Sequence, residues 1–257
     1  MDELAALSLQ IEWGADEALA DRPLDRMVIR QAAPPPARRA IAPPPETAIP
    51  ALARAQAFAQ ALANAAMDLA ALQAAIAAFD GCALRNTATN LIFGQGDPAA
   101  PVTLVADVPG AAEDRAGTPF AGPGGAFLDR MLASIGLDRG GVYACSMLPW
   151  RPPGDRKPAE AEIQLCLPFF WRHLALVHPQ HVVLLGALAG RTLLSTAASR
   201  RLQGRWHSLA IPGLPNPVPA LALGSPAAIQ AAPLAKRDAW ADLLRLRRAL
   251  DGAATIG

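Results

Sequence analysis

Residues 102–120 read VTLVADVPGAAEDRAGTPF, and this stretch decides the fold. Val102 to Val105 are an apolar, strand-like run; Pro109-Gly110 turns the chain; Glu113, Asp114 and the aromatic Phe120 follow. Open α/β sheets bind their ligands where strand ends meet turns. A strand that stops at an acid, Asp107, just before a Pro-Gly turn therefore puts a candidate site at its end.

The chain on either side alternates strands with helices. Downstream, the glycine-rich AGPGG at 121–125 introduces a helix over 125–135, Val142–Leu148 predicts a second strand, and 160–173 a helix. His181–Leu185 predicts a third strand and 187–194 a helix. GRWHSLAIPG at 204–213 predicts a hairpin, and PVPALALG at 217–224 a fourth strand followed by a loop. Lys236–Leu250 predicts an amphipathic closing helix, whose Arg237, Arg245, Arg247 and Arg248 read as a solvated face. Upstream, Leu91-Ile92-Phe93 is a short apolar run closed by GQGDP at 94–98. Those glycines predict a turn, since no GKS/T follows and the spacing does not suit a dinucleotide fingerprint. The glycines at 121–125 read either as a phosphate contact at a helix start or as a simple loop-to-helix junction. Together the alternation predicts a three-layer α/β/α fold with a mainly parallel central sheet covered on both faces.

Before this core, residues 1–31 carry a short helical pattern (Leu4, Leu7, Ile11, then Ala18 and Leu19). Residues 32–50 hold seven prolines, which favours extended polyproline geometry and a spacer over a packed element. A docking motif for an aromatic groove is the alternative reading of that linker. Residues 51–78 are alanine-rich, with Leu52, Phe58, Leu62, Leu69, Leu72 and Ile76 near helical spacing, and predict one long helix or two. The expected organisation is thus an N-terminal extension (1–31), a linker (32–50), a helical segment (51–78), the α/β domain (79–250) and a short tail (251–257).

Composition sets bounds on function. With 257 residues, 52% of them hydrophobic, the chain can bury a sizeable core. A formal net charge of +1 gives no global basic field, so any nucleic-acid contact must come from a local patch. No run has the length and purity of a membrane span, and the MDELAALSLQ start is acidic, unlike a secretory leader, which predicts a cytoplasmic protein with no membrane partner. Three scattered cysteines, Cys82, Cys145 and Cys166, make no disulfide framework, in keeping with a reducing compartment.

Several blocks occur in a recognisable order: FGQGDP (93–98), VADVPGAAEDRAGTPFAGPGGAFLDRML (105–132), VYACSMLPWRPPGDRKPAEAEIQLCLPFF (142–170), HPQHVVLLGALAGRTLL (178–194), GRWH (204–207) and GSPAAI (224–229). In this order, and with the combinations PGxxEDxxGxPFxGxxGxxL and RPPGxRxP, the chain resembles the uracil-DNA glycosylase superfamily, closest to the family-four type that carries an iron–sulfur cluster. The segment EWGADEALADRPLDR (12–26) is similar to an extension on alphaproteobacterial members. The resemblance implies base excision repair: a base is extruded from the stack, held in a pocket and cut from its sugar by hydrolysis of the N-glycosidic bond.

The resemblance assigns roles residue by residue. Phe120 stands where the family places the aromatic under the flipped base, with Pro109 and Gly110 in the same pocket. Asp107 stands where the family has a glutamate, and would position water; the alternative is a strand-end aspartate capping its own turn. Ser146 replaces the asparagine that reads the uracil edge, so bidentate recognition is lost. Ser225 replaces the histidine that donates to the leaving base, a weaker donor. Arg151, Arg156, Lys157 and Arg191, with Arg205, would meet phosphates, though each alone reads as an ordinary surface charge. The four histidines read as structural.

The family's cluster is held by four cysteines. The corresponding positions here are Phe79, Cys82, Trp150 and Cys166, so the expectation is no cofactor and no metal, with two aromatics filling the cluster's volume and the thiols buried in the core. A metal held by the two thiols and a histidine is the alternative. The expected partner is DNA, uracil-containing or otherwise damaged and single-stranded DNA included; no protein partner is legible. Two functions follow: a divergent DNA glycosylase, or a catalytically degenerate sensor of the same fold. An unrelated nucleotide-binding α/β protein fits the motif order less well.

Overall fold

A computed structural model describes residues 48–194 and 202–252. The extension at 1–31, nearly all of the linker and residues 253–257 lie outside the described residues. In chain order the elements are α1 (Ala48–Ala65), α2 (Leu69–Ala78), β1 (Gly94–Gly96), β2 (Val102–Ala106), α3 (Ala111–Ala116), α4 (Gly122–Ala133), β3 (Tyr143–Ser146), α5 (Glu160–Val177), β4 (His181–Leu185), α6 (Ala187–Leu193), β5 (Trp206–Leu209), β6 (Val218–Leu223), α7 (Pro226–Ala231) and α8 (Pro233–Leu250).

The six strands form one sheet in the order β1-β3-β2-β4-β6-β5. The four central strands run parallel, and the two edge strands run antiparallel to their neighbours. Alternation along each parallel strand feeds two cores. Val105, Cys145, Val182, Leu184, Ala220 and Ala222 pack under α1, α2 and α5. Val102, Leu104, Ala144, Val183, Leu185, Leu221 and Leu223 face α4 and α8. Both faces are dry, which is why these strands read as continuous apolar runs, and the fold is three-layer α/β/α.

The alanine-rich segment is two helices. The break is at Asp68, whose carboxylate accepts the Ala71 N–H at 2.7 Å as the N-cap of α2. The carbonyl of Ala66 beyond the end of α1 accepts two bonds from the Arg172 guanidinium of α5, at 2.9 and 2.7 Å, which ties this helix pair to the domain.

Two local expectations are corrected. GQGDP is not simply a turn: Gly94–Gly96 pair antiparallel with Cys145–Tyr143 as the edge strand β1. A side chain at Gly94 would strike the Tyr143 hydroxyl at 2.0 Å, so close packing accounts for that glycine. The acidic stretch after Pro109-Gly110 forms the short helix α3, closed by Gly117 at φ +70°. GRWHSLAIPG is one arm of a hairpin and not a whole one: β5 pairs with β6 across residues 210–217.

Candidate active site at the sheet switch point

The parallel strands follow the order β3-β2-β4-β6, so the chain leaves β2 on one side and returns on the other. A crevice therefore opens beyond the carboxyl ends of β2 and β4, the place where open sheets bind ligands. Asp107 is the first residue past β2 and Gly186 the first past β4.

Asp107 crosses this crevice. Its carboxylate accepts N–H bonds from Leu188 at 3.0 Å and Ala189 at 2.6 Å, in the first turn of α6. The N-cap residue of α6 is Gly186, which has no side chain to do this, so the neighbouring strand supplies the acceptor. Asp107 is thus a cap, but of a helix 81 residues away and not of its own turn. Burial holds its carboxyl above the usual carboxylate range, against the two N–H bonds and the pull of Arg191. A carboxylate offers about four acceptor positions, so two remain for a further ligand.

Asp107 lines a cleft of about 360 Å³ together with Ala106, Val108, Gly110, Phe120 and Ser225. Phe120 adopts φ +54°, a left-handed conformation that costs a non-glycine residue on the order of 1–2 kcal/mol. Its carbonyl accepts a bond from Arg139 at 3.1 Å, and the same guanidinium nitrogen reaches the Gly125 carbonyl at 3.2 Å. The guanidinium carbon also lies 5.8 Å from the Phe120 ring centroid, and Arg139 pairs with Asp129 of α4.

Ser225 lies on the opposite wall as the N-cap of α7. Its oxygen accepts the Ala228 N–H at 3.3 Å, which leaves its own O–H free to donate. Ser146 is not on this wall. It ends β3 beside Ala106, 6% exposed, and its hydroxyl has no partner. Pro109 faces away, into a second cleft of about 570 Å³ that shares Asp107, Val108 and Gly110 with the first.

Arg156, Lys157 and Arg191 also border that second cleft. Arg156 forks onto Glu162 at 2.9 and 2.5 Å, and Arg151 bonds Asp155 at 2.7 Å. These two arginines are spent on holding the loop that follows β3. Lys157 and Arg191 form no ion pair among the described residues, and Arg191 sits in the last turn of α6, not at its start.

The motif acids serve the scaffold. Glu113 accepts the Gly110 N–H at 3.1 Å. Buried Asp114 accepts Thr89 N–H at 2.8 Å and Asn90 N–H at 3.2 Å, fixing the segment that leads to β1. The roles of Arg139, Gly186 and Asp114 escaped sequence reading because their partners are distant in the chain; Arg139 lies 19 residues from Phe120 and has no pattern that points back to it.

Phe79, Cys82, Trp150 and Cys166 all lie buried in the core under α1, α2 and α5. The Phe79 ring packs edge-on against Phe169 at 5.2 Å and over Gly81, where a Cβ would meet it at 2.4 Å. The neighbouring Cys82 thiol and burial hold the Cys166 thiol well above its ordinary range. Two thiols and two packed aromatics do not fit a cluster held by four thiolates. No group of three or more metal-ligating side chains occurs among the described residues.

Residues 93–244 match the Uracil DNA glycosylase superfamily. The chain is 33% identical over 134 residues to the type-4 uracil-DNA glycosylase of Pyrobaculum aerophilum, covering 52% of this chain and 68% of that protein. It is 32% identical over 170 residues to the type-4 enzyme of Archaeoglobus fulgidus, covering 64% and 84%. With the type-4 enzyme of Thermotoga maritima it shares 34% identity over 108 residues, 42% and 56% of the two chains. The segment 12–26 lies outside both the matched and the described residues.

Proposed function

The chain belongs to the uracil-DNA glycosylase superfamily, and on that premise we propose that it serves DNA repair as a divergent glycosylase, seating an extrahelical base on Phe120 and hydrolysing its N-glycosidic bond. One observation carries this reading: Asp107, oriented by two N–H bonds, lines the same cleft as Phe120 and Ser225. The ring supplies a sequence-tolerant stacking surface. The two remaining acceptor positions of Asp107 hold the attacking water and take up its partial positive charge. The Ser225 hydroxyl donates to the departing base, whose anionic charge it partly offsets; a family histidine would do this more strongly.

Recognition of the base edge is the weak point of the site. Without an amide at position 146, no side chain among the described residues lining the cleft offers the paired donor and acceptor that single out uracil, so the pocket suits a wider set of damaged bases. The buried, unpartnered Ser146 hydroxyl and the capping role of Ser225 favour a second reading, a degenerate module that binds a flipped base without excising it. In either case the partner is DNA, with damaged or single-stranded DNA as the preferred form, and the protein works where that DNA is, in the cytoplasm. Aromatic packing by Phe79 and Trp150 takes the place of an iron–sulfur cluster in holding the helices to the sheet.

Single-turnover excision on oligonucleotides carrying uracil, hypoxanthine or xanthine, with Asp107→Ala as the control, tests the reading. Cleavage of at least one base above the control is expected. DNA binding with no cleavage above that control selects the degenerate module.

A further inference from the structure

Phe120 is held in a conformation that it would not choose alone, and one distant side chain bonds its carbonyl. At φ +54° the direction of its Cβ, and so the tilt of the ring, depends on the backbone staying left-handed. The carbonyl that fixes this turn is gripped by Arg139 Nη2 at 3.1 Å, and the same nitrogen reaches Gly125 of α4 at 3.2 Å. A side chain at Gly125 would meet the Phe120 carbonyl at 1.6 Å and the guanidinium at 3.0 Å, so helix and arginine close around that one oxygen. Asp129, on the same helix, anchors the Arg139 Nε. The Arg139 side chain is 29% exposed, and its hydrogen bonds go to the Phe120 turn and to α4.

We infer that Arg139 is a positioning residue which sets the depth and angle of the Phe120 ring for the base stacked on it. The inference rests on the base-pocket reading of the Phe120 cleft. Lysine cannot replace it fully, because one ammonium cannot bond two carbonyls and Asp129 in the fixed geometry of a guanidinium.

Binding of two single strands tests this. One carries 2′-fluoro-2′-deoxyuridine, whose glycosidic bond resists hydrolysis, and the other an abasic tetrahydrofuran at the same place. The wild-type protein is expected to prefer the base-bearing strand, and Phe120→Ala to lower that preference by about tenfold. Arg139→Met should lower it by a similar factor, leave abasic binding unchanged, and add nothing to Phe120→Ala in the double variant. Arg139→Lys should recover part of the preference, and it carries the test should Arg139→Met fail to fold. An unchanged preference in the Arg139 variants, equal weakening on both strands, or additive losses would overturn the inference alone. A wild-type protein with no preference for the base would overturn the pocket reading and the inference with it.

Discussion

The carboxylate of Asp107 stands where a side chain on Gly186 would have to be: a Cβ on Gly186 would lie 2.0 Å from Asp107 Cγ, and Gly186 has φ +148°. The crevice between β2 and β4 holds one or the other, and this chain has filled it with the acid. Gly186→Ala is therefore expected to push Asp107 off the Leu188 and Ala189 N–H groups, with a loss of roughly 3 kcal/mol in unfolding free energy. Urea denaturation checks this. In an Asp107→Ala background the same substitution should cost less, since only the backbone strain remains.

Lys157 and Arg191 border the second cleft with no ion pair among the described residues, whereas Arg151 is paired with Asp155 of the same loop and Arg156 with Glu162 in the first turn of α5. Lys157→Ala and Arg191→Ala should each lower the slope of log K against log salt for a single strand by about 0.7, the value for one phosphate. Arg151→Ala and Arg156→Ala should change that slope less and lower the melting temperature instead. Titrations at several salt concentrations separate the two pairs, and equal slopes for all four variants would contradict this division.

Phe79 is fully buried, with its ring against Phe169 and Gly81. Phe79→Ala should destabilise the fold by about 3–5 kcal/mol, the cost of an aromatic-sized cavity. The purified protein is expected to contain no stoichiometric iron and to lack the visible absorption of an iron–sulfur protein. Stoichiometric iron by elemental assay would show that Phe79 and Trp150 do not occupy the volume assigned to them.

His173 is buried, stacked on Phe93 at 4.1 Å, and shares a 2.7 Å hydrogen bond with the Tyr143 hydroxyl. Burial lowers its pKa to about 3. The unfolded chain takes up this proton near pH 6.5 while the folded chain refuses it. The stability is complete above pH 6.5 and is lost as pH falls toward 3, by roughly 2 kcal/mol between pH 6.5 and 5. Unfolding free energies in that window should show this loss in the wild-type protein and a shallower one in His173→Gln.

The motif block 105–132 was legible because it is local: strand, turn, Phe120 and the glycines around it sit within one short segment and meet in one cleft. Ser225 joined them through the motif order and does line the wall. Ser146 and Pro109 were named by the same logic, yet Ser146 is sealed beside Ala106 and Pro109 borders the neighbouring cleft. Which side of a strand end a residue faces depends on the sheet's twist and on what packs above it, and neither is written in a motif.

Local sequence alone set the alternation of strands and helices, the two apolar faces of the sheet and the candidate site at the end of β2, since each of these follows from neighbours a few residues apart. Tertiary structure alone decided what the polar groups do. Asp107 caps α6 across the switch point, Arg139 grips the Phe120 carbonyl, and Arg151 and Arg156 are consumed by Asp155 of their loop and Glu162 at the start of α5. A hydrogen bond is settled by distance in space, and the crossover that carries the chain from one side of β2 to the other brings together groups that sequence separation keeps far apart.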